Sequence, residues 1–183
     1  MATFTRVSTA VAALLISGGI TALSAACETS VDVHPTSCPN PVNIKSNGLV
    51  PAAILGTGDF DVHDINISAG IKMQLRSDYG VAGTPFVYGY SFAYEDVSTP
   101  EELSSYDSIC DLPKGACNEY GPDGYPDLTL KFPVQGKGDS YGVSDLLMGF
   151  EKGDAVTVII SWTMNNGREW FGRDVVVVNG VNQ

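Results

Sequence analysis

Positive charge is scarce in this chain of 183 residues: 10 Lys and Arg stand against 21 Asp and Glu, for a formal net charge of −11. A field of that sign repels phosphates and anionic headgroups, which makes nucleic acid and bare membrane unsuitable partners. Histidine is scarcer still. His34 and His63 stand singly, without the spacing of a zinc ligand pair. No nucleophile elbow, paired-histidine zinc motif or glycine-rich phosphate cradle occurs, so the common routes to nucleophilic, zinc and phosphoryl-transfer chemistry have no sequence support. Long helical periodicity is also missing.

The one extended apolar stretch, "VAALLISGGITALSAA", follows Arg6 and is too short to span a bilayer. A charged start, an apolar middle and small residues at Ser24 and Ala26 read as a secretory signal over residues 1–26, cut before Cys27. Loss of Arg6, its only charge, leaves a more acidic chain. Residues 27–183 then form one domain, exported to the extracellular or periplasmic space.

Four cysteines remain: Cys27, Cys38, Cys110 and Cys117. In an oxidising compartment an even count reads as bridges, and the pairing expected is Cys27 with Cys38 and Cys110 with Cys117, because both close short loops. Each would contribute roughly 2.5 to 3 kcal/mol. A second reading of "LSAAC" makes Cys27 a lipid-modified anchor, with Leu23 one residue out of place for a lipobox.

Alternation of apolar and polar residues dominates the rest of the chain. "IKMQLR" sets Ile71, Met73 and Leu75 on one face, and "DLTLKF" does the same with Leu128, Leu130 and Phe132. "LVPAAIL", Leu49 to Leu55, is apolar throughout and reads as a doubly buried strand. Near the end, "NNG" predicts a two-residue hairpin turn at Asn166 and Gly167. That turn places Trp162 opposite Phe171, gathers Val156, Val158, Ile160, Val175 and Val177 on the same core face, and leaves Trp170 on the other.

"FVYGYSFAY" puts Phe86, Tyr88, Tyr90, Phe92 and Tyr94 on one face. Its rings are either sandwich core, the reading preferred here, or a stacking platform for sugars. From Val97 to Tyr125 alternation stops in favour of Ser, Pro, Asp, Gly and two cysteines, with a short helical turn expected at Thr99 to Glu102. The fold expected is all-β: a single antiparallel β-sandwich, immunoglobulin-like or related, of about seven to ten strands with one long irregular disulfide-bearing loop.

"GPDGYPDLTLKF" offers the clearest candidate chemistry. With Asp123 and Gly124 as fifth and sixth positions of a calcium loop, Glu119 stands first, Tyr125 offers a carbonyl at the seventh and Asp127 stands ninth. Glu119, Asp123 and Asp127 are thus the candidate metal ligands, and Glu95, Asp96, Asp111 and Asn118 are further oxygen sources. Gly121 brings no side-chain oxygen, and Leu130 stands where a bidentate Glu belongs. The alternative is a tight turn in which Asp123 bonds its own backbone. "DFDVHD", with Asp59, Asp61 and Asp64, reads as a solvated edge.

Three ordered blocks carry a family resemblance. "VDVHPTSCPNPVNIKSNGLVPAAILGTGDFDV", "YEDV" and "DGYPDLTLKF" resemble a β-domain that recurs in secreted bacterial and archaeal proteins. The resemblance implies a noncatalytic extracellular module, structural or binding, of the kind appended to surface and secreted proteins. Its acidic block, Asp-x-Asn-x-Asp-Gly-x-x-Asp, implies calcium at Asp123 and Asp127, with Glu119 and Gly121 as departures. Partners expected are an extracellular glycan or protein surface. The alternative function is a small secreted carbohydrate-active enzyme, whose paired carboxylates would come from Glu95, Asp96 and Asp123.

Overall fold

Two sheets share one apolar core in the computed structural model, which describes residues 27–100 and 119–180. The strands are β1 (Cys27–Glu28), β2 (Val31–Val33), β3 (Pro41–Asn43), β4 (Leu49–Ile54), β5 (Lys72–Leu75), β6 (Val87–Tyr88), β7 (Tyr90–Glu95), β8 (Asp127–Pro133), β9 (Ala155–Thr163) and β10 (Glu169–Asn179). One short helix, α1 (Val143–Leu146), precedes β9. The six-stranded sheet runs β1-β10-β9-β5-β6 with β3 also on β10, and the four-stranded sheet runs β2-β4-β8-β7. Among the described residues no helix is long and apolar enough to cross a membrane.

Where one face of a strand is apolar and the other wet, the pattern decides the packing. Ile71 and Met73 are buried with Leu75 packed beside them, and Leu128, Leu130 and Phe132 of β8 are almost wholly inaccessible. β4 is buried on both faces as its composition predicts, since Ala53 is as inaccessible as Ala52. A purely antiparallel fold does not form, however. β1 and β3 both run parallel to β10, because the chain leaves β10 after Glu28 to place β2 in the other sheet and then returns.

A buried polar joint closes the sheets where that excursion occurs. Asp174 on β10 accepts from the Val33 N–H at 2.6 Å and from the Asn40 side-chain amide at 3.1 Å, and Asn40 also donates to the Val175 carbonyl. Each of these donors would otherwise be stranded in a dry interior.

The final hairpin differs from expectation by one residue, with large consequences. Trp162 pairs with Trp170, and Phe171 pairs with Ser161. The loop holds three residues, closed by Met164 N–H to the Arg168 carbonyl and Gly167 N–H to the Met164 carbonyl, with Gly167 at φ 82°. The extra loop residue has a tertiary cause: Met164 bridges Ile65, and the Asn165 N–H donates to the Asp64 carbonyl at 2.7 Å. A one-residue slip exchanges the faces of a strand. On β9 the expected core residues Val156, Val158, Ile160 and Trp162 are correct, but β10 contributes Trp170, Val176 and Val178 to the core cluster instead of Phe171 and Val177, while Val175 is buried on the opposite face.

The aromatic stretch is the second correction. Its alternation is broken between β6, in the six-stranded sheet, and β7, in the four-stranded sheet. Gly89 is the crossing point, where an added Cβ would stand 2.6 Å from Leu130 Cδ1. Ser91 at φ 61° and a register shift between Tyr90 and Ala93 complete the break. Val87 is buried, whereas Tyr88, Tyr90 and Tyr94 are 53, 43 and 45 % exposed, so those rings are surface and only Phe92 packs against the core. The signal segment, Glu101 and Glu102 of the helical turn expected at Thr99 to Glu102, and the Cys110–Cys117 bridge fall outside the described residues. So does the Cys27–Cys38 bridge, since only the backbone of Cys27 is described.

Candidate functional site

Asp127 and its neighbours form a network of backbone bonds. Asp127 opens β8 and is wholly buried; its Oδ1 accepts from the Gly56 N–H at 2.9 Å, and its Oδ2 accepts from Val97 and Ser98 at 2.9 and 3.1 Å. Burial pushes its carboxyl above the usual range, and the three N–H donors pull it back. Gly56 can approach this closely because it has no side chain: the Pro126 carbonyl fills the space a Cβ would need.

Asp123 bonds its own turn, its Oδ1 accepting from the Tyr125 N–H at 2.9 Å with Gly124 at φ 98°. Asp96 holds the same turn from outside, accepting from the N–H groups of Asp123 and Gly124 at 3.0 and 2.8 Å. Glu95 accepts from the Thr129 hydroxyl at 2.8 Å, and Glu119 is exposed. Among the described residues no three His, Cys, Asp or Glu side chains converge as a metal centre, so Glu119, Asp123 and Asp127 are not drawn into one. Asp96 touches the backbone of the Asp123 turn rather than facing it across a cleft.

The "DFDVHD" cluster is also built into local structure. Asp61 caps the 3-10 turn Val62–Asp64, accepting from the His63 N–H and meeting His63 Nδ1 at 2.7 Å. Those bonds hold the exposed Asp61 carboxyl below its ordinary range. The His63 ring stacks on Tyr94 at 4.3 Å and 19°. His34 is half-buried, and burial lowers its pKa.

A groove of about 820 Å³ with the character of a binding site lies on the outer face of the six-stranded sheet. Its floor is β5, β9 and β10, whose outward side chains include Lys72, Gln74, Ser161, Thr163 and Phe171. One wall is the segment 76–84, begun by the 3-10 turn Arg76–Asp78 and pinned by Thr84, whose hydroxyl lies within bonding distance of the Asp78 and Val81 carbonyls. Gly80 and Gly83, at φ 79° and 82°, let that segment fold back over the sheet. It delivers Tyr79 to Phe171, with ring centroids 5.1 Å apart and planes at 44°. Burial, then the charge of Glu169, raises the Tyr79 pKa, so its hydroxyl stays protonated. On the far side Lys72 Nζ sits 4.9 Å over the Phe86 ring, and Phe86 meets Tyr88 edge-on at 5.0 Å.

Of these groove residues only Phe86 belongs to a stretch that the sequence offers, as its second reading, as a platform for sugars. A two-residue turn would assign Phe171 to the core, and unbroken alternation would do the same for Phe86. The usable signal is the chemistry of the polar partners: Lys72 and Gln74 alternate with Ile71 and Met73, which already marks one outward face of β5. Comparison with family models, curated proteins and solved structures finds no match to this chain.

Proposed function

We propose that this protein is a noncatalytic extracellular binding module, a β-sandwich related to the immunoglobulin type, that takes a glycan in the groove on the outer face of its six-stranded sheet. The observation that carries the reading is the lining of that groove. Phe171, Tyr79 and Phe86 offer ring faces to the apolar side of a pyranose, while Gln74, Ser161, Thr163 and Glu169 offer donors and acceptors to its hydroxyls. One Lys and one Glu leave the lining close to neutral, which suits a polyol better than a strongly charged ligand. An acyl chain would strand the polar groups in a dry contact.

The carboxylates that an enzyme would need support the noncatalytic side of this reading. Asp96 and Asp123 accept from backbone N–H groups and Glu95 from the Thr129 hydroxyl, and none of the three lines the groove as an acid and base pair would. Affinity electrophoresis against soluble β-glucan, xylan, galactomannan and chitooligosaccharides tests the proposal. Retardation by one of them is expected, weakened about tenfold or more in Phe171→Ala, with no release of reducing ends. No retardation by any of the four, or retardation unchanged in Phe171→Ala, would overturn it.

A further inference from the structure

Asp32 carries an unsatisfied buried charge, and the chain offers no side chain to neutralise it among its described contacts. Its carboxylate is wholly buried; Oδ2 accepts a 2.6 Å bond from the Ser98 hydroxyl, the Thr36 backbone N–H faces the group, and Oδ1 itself accepts no well-formed hydrogen bond. Buried carboxylates ordinarily fill both oxygens, because one left bare in a dry site is costly. A second buried carboxylate aggravates the problem. Ser98 links Asp32 to Asp127, donating its hydroxyl to one and its N–H to the other. Burial raises the Asp32 carboxyl to about 6, against the lowering by the Ser98 and Thr36 bonds and with a smaller push from the Asp127 charge.

The surroundings are oxygen-rich. The Ser98 hydroxyl also lies 3.3 Å from the Tyr120 carbonyl, and the Thr99 hydroxyl donates to the Gly121 carbonyl at 2.7 Å. Carboxylate, hydroxyl and carbonyl oxygens are the donors a hard cation selects, and calcium accepts irregular sets of them completed by water. We propose that Asp32 Oδ1 is the anchoring ligand of a calcium site at the root of the irregular segment, where the ion offsets the paired charge of Asp32 and Asp127. The ion ties β2 to the two ends of that segment, Val97–Thr99 and Tyr120–Gly121. With Asp32 as the one free carboxylate, both Asp127 oxygens being held by backbone N–H groups, the affinity belongs to the weak end of extracellular modules, about 10⁻³ M. The site is separate from the glycan groove and stands or falls without it.

Melting curves of the whole secreted chain at pH 7.5, in EDTA and in 10 mM CaCl₂, test the assignment. Calcium is expected to raise the Tm of the wild type and of Asp123→Asn by about 5 °C, and to leave Asp32→Asn unmoved. No shift in the wild type, or a shift kept in Asp32→Asn and lost in Asp123→Asn, overturns the proposal. Should Asp32→Asn fail to fold, hydrogen exchange on the wild type decides the same point. Slowing by CaCl₂ of the Val97 and Ser98 amides is expected, and slowing confined to other regions overturns it.

Discussion

β8 and the stretch from Phe86 to Tyr94 alternate equally cleanly, yet one is core and the other is surface. In β8 the chain stays in one sheet over its whole length, so Leu128, Leu130 and Phe132 meet the same core in succession. The aromatic stretch changes sheets at Gly89 and continues as β7, an edge strand whose register shifts between Tyr90 and Ala93, so that only Phe92 reaches the core from it. Val87 is then the buried residue of β6, and three tyrosines face outward. Alternation reports that a strand has two faces; which face is inside is set by the sheets on either side.

The sharpest way to break the comparison is to truncate one ring from each. Phe132→Ala opens a cavity in a filled core and is expected to lower unfolding stability by about 3 to 5 kcal/mol in urea. Tyr90→Ala removes an exposed ring and should change it by less than about 1 kcal/mol. Equal losses would mean that the tyrosines are core after all.

A smaller effect, and one that depends on pH, is expected where the irregular segment meets β8. The folded-state pKa of Asp32 stands at about 6, above the ordinary 3.8, so the folded chain holds this proton more tightly than the unfolded chain does. The stability it contributes is full below about pH 4 and is lost as pH rises through about 6, a change of about 3 kcal/mol in EDTA. Asp32→Asn should flatten the profile between those values. A profile unaltered by the substitution contradicts the assignment.

Gly89→Ala sharpens the comparison at its hinge. The new methyl would press on Leu130 and Phe132, and a loss of about 1 to 2 kcal/mol is expected because only side-chain ends need move. A neutral result would show that the crossing between sheets is looser than the contacts imply.

Much of the fold was legible in the sequence where neighbours in the chain are also neighbours in space. The inward faces of β5, β8 and β9 follow from their periodicity, and the doubly buried β4 follows from its unbroken apolar run. The register of β10 was not legible, because an Asp64 carbonyl distant in sequence draws in the Asn165 N–H and lengthens the turn. The same slip hid the groove, since Phe171 reaches its floor only in the observed register. Asp123 was readable as a turn former from Asp-Gly, whereas the role of Asp127 as acceptor for Gly56, Val97 and Ser98 requires three segments to meet. Asp32 gave no local sign at all, being one more polar residue in an alternating strand. The parallel placement of β1 and β3 against β10 likewise arises from a long-range return of the chain.

Which ring of β10 faces inward decides both the core and the groove, and urea unfolding of Trp170→Ala and Phe171→Ala side by side tests that most directly. Trp170 packs at 4.9 Å against the buried Phe60, so its loss should lower stability by about 2 to 3 kcal/mol, against less than about 1 kcal/mol for Phe171. The opposite order, with Phe171→Ala the more damaging, would contradict the register and with it the groove.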